Sequence, residues 1–144
     1  MTQKLVDQSS GEFRVEVLQQ RIQAARLSEY RALTLNHRRW ALVREVLLHG
    51  NGKPWVYART IIPLSTLKGY LRHLHFLGNR PLGEALFKDP TMQRNNLQLA
   101  AIKPEHLPRN ARKLQPAWGR RSTFRLRGKS LLVAEIFLQD LLKA

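Results

Sequence analysis

Hydrophobic and polar residues alternate along several stretches of the chain, which is the pattern of β-strands with one buried face. The stretch FRVEV (13–17) alternates in this way. Residues 38–50 are rich in valine, leucine and tryptophan, and the NGKP that follows predicts a tight hairpin into PWVYARTIIPLSTL (54–67). This second strand should end at Pro63, because proline has no N–H to donate to a sheet ladder. The first half of the chain therefore predicts antiparallel strands.

Three segments show helical spacing instead. IQAARLSEYRAL (22–33) is compatible with a helix. STLKGYLRHLHFLG (65–78) spaces Leu67, Tyr70, Leu71, Leu74 and Leu77 on one helical face, with Gly78 as a stop. PLGEALF (81–87) has a proline near its start, a position that helices favour. We expect a helix in each of these segments.

The second half of the chain adds strands and one long connection. MQRNNLQLAAI (92–102) is a candidate strand, and residues 103–116 carry three prolines and many charges, which predicts an exposed loop. Residues 118–142 predict two long strands that turn at 127–129. The whole pattern indicates one α+β domain over residues 1–144, an antiparallel β-sheet with helices packed on one side.

Two charged residues interrupt apolar strands. Arg59 lies in the run 54–67, and Glu135 lies in LLVAEIFLQ (131–139), where both faces are apolar. A buried charge is costly unless it is paired. Arg59 and Glu135 could pair with each other or lie at frayed strand ends. The functional alternative is a pocket in the sheet, where the arginine binds a carboxylate and the glutamate accepts a proton or a hydrogen bond.

A third charge belongs to this group. Arg120 alternates with Trp118 and Phe124, which makes it a candidate for a second inward cation and a second carboxylate contact. Arg121, Arg125 and Arg127 fall on the other face and should be solvated. A bulge at a glycine within this strand would invert the assignment.

Composition narrows the function classes. The chain has 25 Lys and Arg against 10 Asp and Glu, a net charge of +15, which favours a nucleic acid or a small anionic ligand as partner. It has no cysteine, which excludes disulfides, thiolate metal sites and cysteine nucleophiles and fits a reducing, cytoplasmic setting. No phosphate-loop, dinucleotide-binding or nucleophile-elbow motif is present, and the histidines lack metal-ligand spacing. No apolar run approaches the roughly 20 residues of a membrane span.

Three blocks, in order, carry a family resemblance. GKPWVYARTIIPLSTL, GNRPLGEALF and WGRRSTFRLRGKSLLVAEIFL resemble the corresponding blocks of the chorismate pyruvate-lyases, and the resemblance covers roughly residues 1–140. It implies cleavage of chorismate into 4-hydroxybenzoate and pyruvate, the first committed step of ubiquinone biosynthesis. It also implies a cytoplasmic monomer without metal or organic cofactor, in which flap-like helical segments close over an antiparallel sheet.

The resemblance also nominates residues. Arg59 would hold a carboxylate, Leu82 would contact the ligand mainly through its backbone, and Glu135 would contact the oxygen end of the ring. The family methionine that heads an M-T-x-x segment falls on Met1, so the helical stretch that precedes it in the family is expected to be missing. We expect an N-terminally extended chain to melt higher and turn over faster; equal values would contradict this.

Two other function classes stay open at this point. A non-catalytic effector-sensing domain of similar fold would bind a small aromatic acid without converting it. A nucleic-acid-binding protein would explain the net charge of +15 and would bind oligonucleotides tightly at physiological salt.

Overall fold

The computed structural model describes residues 13–35, 40–101, 103–111, 114 and 116–142. The strands are β1 (Phe13–Ala24), β2 (Trp40–Gly50), β3 (Lys53–Pro63), β4 (Gln93–Ala101), β5 (Pro116–Leu126) and β6 (Lys129–Leu138). The helices are α1 (Leu27–Ala32), α2 (Leu82–Lys88), α3 (Gln139–Leu142) and a 3₁₀ helix, Gly69–Phe76, and two single 3₁₀ turns lie at Pro104–His106 and Arg109–Ala111. None of these helices is long and apolar enough to cross a membrane.

The described strands form one antiparallel sheet in the order β1-β2-β3-β6-β5-β4. The chain leaves the sheet after β3, builds the 3₁₀ helix and α2, and returns to place β6 beside β3. The predicted α+β class with an antiparallel sheet is confirmed.

Two tight hairpins set the strand register. Asn51 and Gly52 have φ angles of 52° and 79°, and Arg127 and Gly128 have φ angles of 51° and 77°. Positive φ at both central residues matches the right-handed twist of the flanking strands. Both hairpins confirm the turns that the sequence predicts.

Each face of the sheet is covered. On the first face, defined by Leu42, Ile62 and Leu131, the core includes leucines from the 3₁₀ helix and α2. On the second face, the core includes Leu33 beyond α1 and, at the other end, Leu107 from the segment after β4. The covering segments thus lie on both faces rather than on one, because β2 and β3 are apolar on both.

The segment predicted as an amphipathic α-helix is a 3₁₀ helix. Leu71, Leu74 and Leu77 are buried, whereas Tyr70 is 62% exposed. A 3₁₀ helix has three residues per turn, so positions three apart share a face and Tyr70 turns away from the leucines. The ring of Tyr70 instead lies 3.6 Å under the guanidinium of Arg127.

Three other boundaries differ from the prediction. The segment 22–33 begins as strand, because β1 continues to Ala24 in register with β2, and only Leu27–Ala32 is helical. The connection after β4 is partly buried through Leu107 and contains short 3₁₀ turns. The last predicted strand stops at Leu138, where α3 begins.

Gly50 gives a test of the core around Trp55. A Cβ at Gly50 would enter the buried indole of Trp55. We expect Gly50→Ala to lower the free energy of unfolding by about 1–3 kcal/mol, as overpacking does. Gly52→Asn is the control, since nothing lies near its Cβ and asparagine tolerates positive φ. Urea unfolding measures both, and an unchanged Gly50→Ala midpoint would contradict the packing described.

Candidate functional site

A cavity lies on the first face of the sheet, under the start of α2. Its floor is mainly apolar and includes Val46, Ala58 and Val133, and Leu82 and Phe87 of α2 form part of its wall. Four charged side chains also line it: Arg44, Arg94, Arg120 and Glu135. A few converging charges in an apolar cleft are typical of a small-molecule site.

Arg44 is the most deeply buried of these charges, with 2% of its surface exposed. Its Nη1 donates to Gln20 Oε1 at 3.2 Å and to the carbonyl oxygen of Gly78 at 2.8 Å, and its Nη2 donates to the carbonyl oxygen of Arg80 at 3.0 Å. No described carboxylate pairs with it. Burial lowers the pKa of Arg44. Three of its five N–H groups are engaged, so two can bind an anion.

Glu135 lies on β6 and is held by its neighbour on β5. Arg120 Nε donates to Glu135 Oε1 at 2.8 Å, and the two side chains are 16% and 13% exposed. The Arg120 guanidinium also lies 5.3 Å from the ring centroid of Phe137. Its Nη2 is buried with no hydrogen-bond partner in the described part of the chain. Alternation correctly placed Arg120 on the inward face.

Arg94 of β4 completes the charged lining, and the sequence prediction missed it. Its Nε donates to Ser122 Oγ at 3.1 Å, and its guanidinium lies 5.3 Å from the centroid of the Phe124 ring. Burial lowers the pKa of Arg94, as does the nearby charge of Arg120, against a smaller opposing effect of Glu135. The strand pairing, which sets Arg94 opposite Phe124, brings this arginine to the cavity, and the polar sequence around it gives no sign of this.

Leu82 and Met1 are the other two residues that the family resemblance nominates, and the structure describes only Leu82. Leu82 is the first residue of α2 and lines the cavity beside Phe87, which is 57% exposed and therefore lies toward solvent. Met1 lies outside the described residues.

Arg59 is not at the cavity. Its guanidinium faces α1 on the second face of the sheet, where Nε and Nη2 donate to the two carboxylate oxygens of Glu29 at 2.7 and 3.1 Å. Its Nη1 donates to Glu45 Oε1 at 2.7 Å. The expectation that Arg59 and Glu135 share one pocket is therefore corrected.

The pleat of the sheet explains the correction. In the ladder between β3 and β6, Ala58 is paired with Glu135, and Arg59 is paired with Ala134. Paired residues project to the same face, and successive residues project to opposite faces. The two charges interrupt neighbouring strands, but they do so on opposite sides.

The ionic cluster around Arg59 satisfies its own members. Burial alone would raise the pKa of Glu29, but hydrogen bonds from Arg59 and from the backbone N–H of Arg26 outweigh it and hold that pKa below its ordinary value. The hydroxyl of Tyr57 donates to Glu45 Oε2 at 2.8 Å. Burial and this carboxylate raise the pKa of Tyr57. Every guanidinium nitrogen of Arg59 has a carboxylate partner within the cluster, so we interpret the cluster as structural.

The charged donors at the cavity suit carboxylates rather than a cation. No group of three or more histidine, cysteine, aspartate or glutamate side chains that could hold a metal occurs among the described residues. Three guanidinium groups and one carboxylate can together bind an anionic ligand, orient it and accept a proton from it.

The sequence comparisons agree on one family. The model described as "Chorismate lyase" matches residues 1–143. A "Probable chorismate pyruvate-lyase" of Azoarcus sp. (strain BH72) is 44% identical over 142 residues, covering 92% of this chain and 75% of that relative. A protein of the same name from Pseudomonas aeruginosa (strain UCBPP-PA14) is 38% identical over 141 residues, covering 98% of this chain and 79% of the relative.

Solved structures share the fold at low identity. The C-terminal domain of the histidine utilization repressor from Pseudomonas syringae pv. tomato superimposes with a TM-score of 0.66 at 14% identity, covering 89% of this chain and 92% of that one. A GntR-family transcriptional regulator from Bacillus cereus gives a TM-score of 0.62 at 10% identity, covering 90% and 93%. These similarities concern the fold alone.

Proposed function

This chain belongs to the chorismate lyase family, and we propose that it cleaves chorismate into 4-hydroxybenzoate and pyruvate. The observation that carries the proposal is Arg44, a buried guanidinium that faces an apolar cavity and has no described carboxylate partner. Burying such a cation costs free energy unless an anion pairs with it. The carboxylate on the ring of chorismate is that anion.

Arg44 takes the place that the sequence analysis gave to Arg59. Its two remaining N–H groups can bind both oxygens of a carboxylate, and the low polarity around them strengthens the contact. Arg44 lies on β2 and Glu135 on β6, two strands away, or about 10 Å at the usual strand spacing. A ring bound with its carboxylate at Arg44 therefore directs its far side toward Glu135.

The reaction requires little chemistry from the protein. The bond between a ring carbon and the ether oxygen breaks, the oxygen leaves with the enolpyruvyl group, and a ring proton is lost as the ring becomes aromatic. The enolpyruvate then takes up a proton and becomes pyruvate. Orientation, exclusion of water and transfer of one proton are the tasks left to the site. We assign acceptance of this proton to Glu135, which lines the cavity and accepts a hydrogen bond from Arg120 Nε.

Turnover is the direct test. Purified protein, as this chain and with an N-terminal extension, is mixed with chorismate, and 4-hydroxybenzoate and pyruvate are followed by absorbance and chromatography. We expect equal amounts of both products at a rate proportional to enzyme. No product from either form would contradict the proposal.

Glu135→Gln tests the proton step. Glutamine keeps the shape of the side chain but cannot accept a proton, so we expect kcat to fall by about 10²- to 10⁴-fold with a smaller change in KM. Glu84→Gln, on the exposed face of α2, is the matched control and should behave as wild type. A loss of less than tenfold in Glu135→Gln would show that Glu135 only positions the substrate.

The finer consequences of this function remain predictions. The product, 4-hydroxybenzoate, would enter ubiquinone biosynthesis, and the enzyme would work in the cytoplasm as a monomer without a cofactor. Light scattering on the purified protein tests the monomer, and full activity after exhaustive dialysis against a chelator tests independence from metal. Binding of 4-hydroxybenzoate without turnover of chorismate would instead favour an effector-sensing domain.

A further inference from the structure

We propose that Arg94 and Arg120 form a second anion subsite, which holds the carboxylate that leaves with pyruvate. The inference rests on the proposed function and deepens it: the cavity would be built for a dianion, with one carboxylate at Arg44 and the other at the arginines of β4 and β5.

An unsatisfied donor at Arg120 is the first observation. The Nε of Arg120 is used by Glu135, but its Nη2 is buried and has no described partner. A buried N–H group without an acceptor costs free energy comparable to a lost hydrogen bond, and most such groups in proteins are satisfied. Because Arg120 lines the cavity, a ligand oxygen is the acceptor that its surroundings allow.

Arg94 is the second observation. Its one described hydrogen bond uses Nε, toward Ser122, and no described carboxylate pairs with it. Its terminal Nη groups are thus available at the cavity that it lines. The charge of Arg120 acts on Arg94 and disfavours its protonated form, so an anion between the two would relieve this repulsion.

The charge of the cavity supports the same conclusion. Its described lining has three arginines and one glutamate, so its net charge is 3 − 1 = +2. A substrate with two carboxylates neutralises this charge, whereas an aromatic product with one carboxylate leaves one positive charge unmatched. The subsite therefore distinguishes substrate from product by charge.

The order of strands places the groups in sequence across the cavity. Arg44 lies on β2, Glu135 on β6, Arg120 on β5 and Arg94 on β4, and the strands follow one another as β2-β3-β6-β5-β4. Glu135 thus lies between the two anion sites. A substrate held at both ends would present the bond that breaks to the carboxylate in the middle.

The test compares a dianion with a monoanion on the same variants. In Arg94→Met we expect kcat/KM for chorismate to fall by about 30- to 1,000-fold, the range for loss of one charge-assisted contact. The Kd of 4-hydroxybenzoate, measured by calorimetry, should change less than threefold. Arg94→Lys, which keeps the charge without the planar fork, should lose less than Arg94→Met.

Arg121→Met is the matched control, because it removes the same charge from the second face, where Arg121 binds Gln98. It should leave both measurements within about twofold of wild type. Equal weakening of chorismate and 4-hydroxybenzoate in Arg94→Met, or no change in either, would overturn the subsite. If wild type makes no product, the proposed function fails, and the Kd of chorismate in the same variants still decides on the subsite.

Discussion

Replacing Arg44 with methionine is expected to lower kcat/KM for chorismate by about 10²- to 10³-fold. The buried guanidinium faces the cavity without a described carboxylate, so its loss removes the charge that would bind the ring carboxylate. The fold should survive, because a buried cation without a counterion is itself costly and methionine has a similar length.

Two measurements separate binding from folding in this variant. We expect the melting temperature of Arg44→Met to lie within a few degrees of wild type, while calorimetry shows no binding of 4-hydroxybenzoate at concentrations that saturate wild type. Arg44→Lys keeps the charge but lacks the fork, and should recover only part of the activity. Wild-type kinetics in Arg44→Met would rule out Arg44 as the carboxylate contact.

Replacing Arg59 with methionine is expected to reduce stability rather than activity. We expect the variant to be destabilised by about 3–5 kcal/mol. Arg59 makes three short hydrogen bonds to Glu29 and Glu45, and these carboxylates are almost completely buried. Removing the arginine leaves two negative charges together in the core without a cation. Urea unfolding at pH 7 measures the loss.

A compensating change provides the control for this prediction. Adding Glu29→Gln and Glu45→Gln to Arg59→Met removes the uncompensated charges, and we expect it to restore more than half of the lost stability. Any remaining activity, expressed per folded molecule, should stay within about tenfold of wild type, since the cluster lies across the sheet from the cavity. An Arg59→Met variant that is stable but inactive would contradict this assignment and show that Arg59 takes part in catalysis.

The pH dependence of stability should change sign in the same variant. In wild type the folded pKa of Glu29 is lowered, so its contribution to stability is present above its unfolded pKa and is lost as pH falls through the folded pKa. Without Arg59, burial would raise that pKa above the unfolded value, and stability would then fall as pH rises through this window. Urea midpoints between pH 3 and 7 distinguish the two slopes.

The sequence located buried charges well but could not assign them to a face. Arg59 is indeed buried in an apolar strand, Glu135 is largely but not fully buried with 13% of its side chain exposed, and Arg120 points inward with Glu135. Both faces of β3 are buried, so alternation alone does not say which face carries a cavity and which carries a structural ion pair. That distinction depends on Glu29, which α1 brings to Arg59 across 30 positions of the chain.

Arg44 and Arg94 were missed for different reasons. Arg44 interrupts an apolar strand as Arg59 does, so the same pattern could have identified it; it is flanked by Glu45, which instead projects to the other face. Arg94 lies in a polar segment where an arginine is unremarkable, and only its place in the ladder beside Phe124 brings it to the cavity.

The alternation of β3 also constrains how the chain can change in length. Even positions such as Ala58 and Thr60 form the floor of the cavity, while Arg59 belongs to the ionic cluster behind it. Alternate residues of this one strand therefore serve the cavity on one face and the ionic cluster on the other. A one-residue deletion before Ala58 would shift this alternation, bringing an arginine into the cavity and small side chains against Glu29 and Glu45. Insertions and deletions within β3 should therefore not be tolerated.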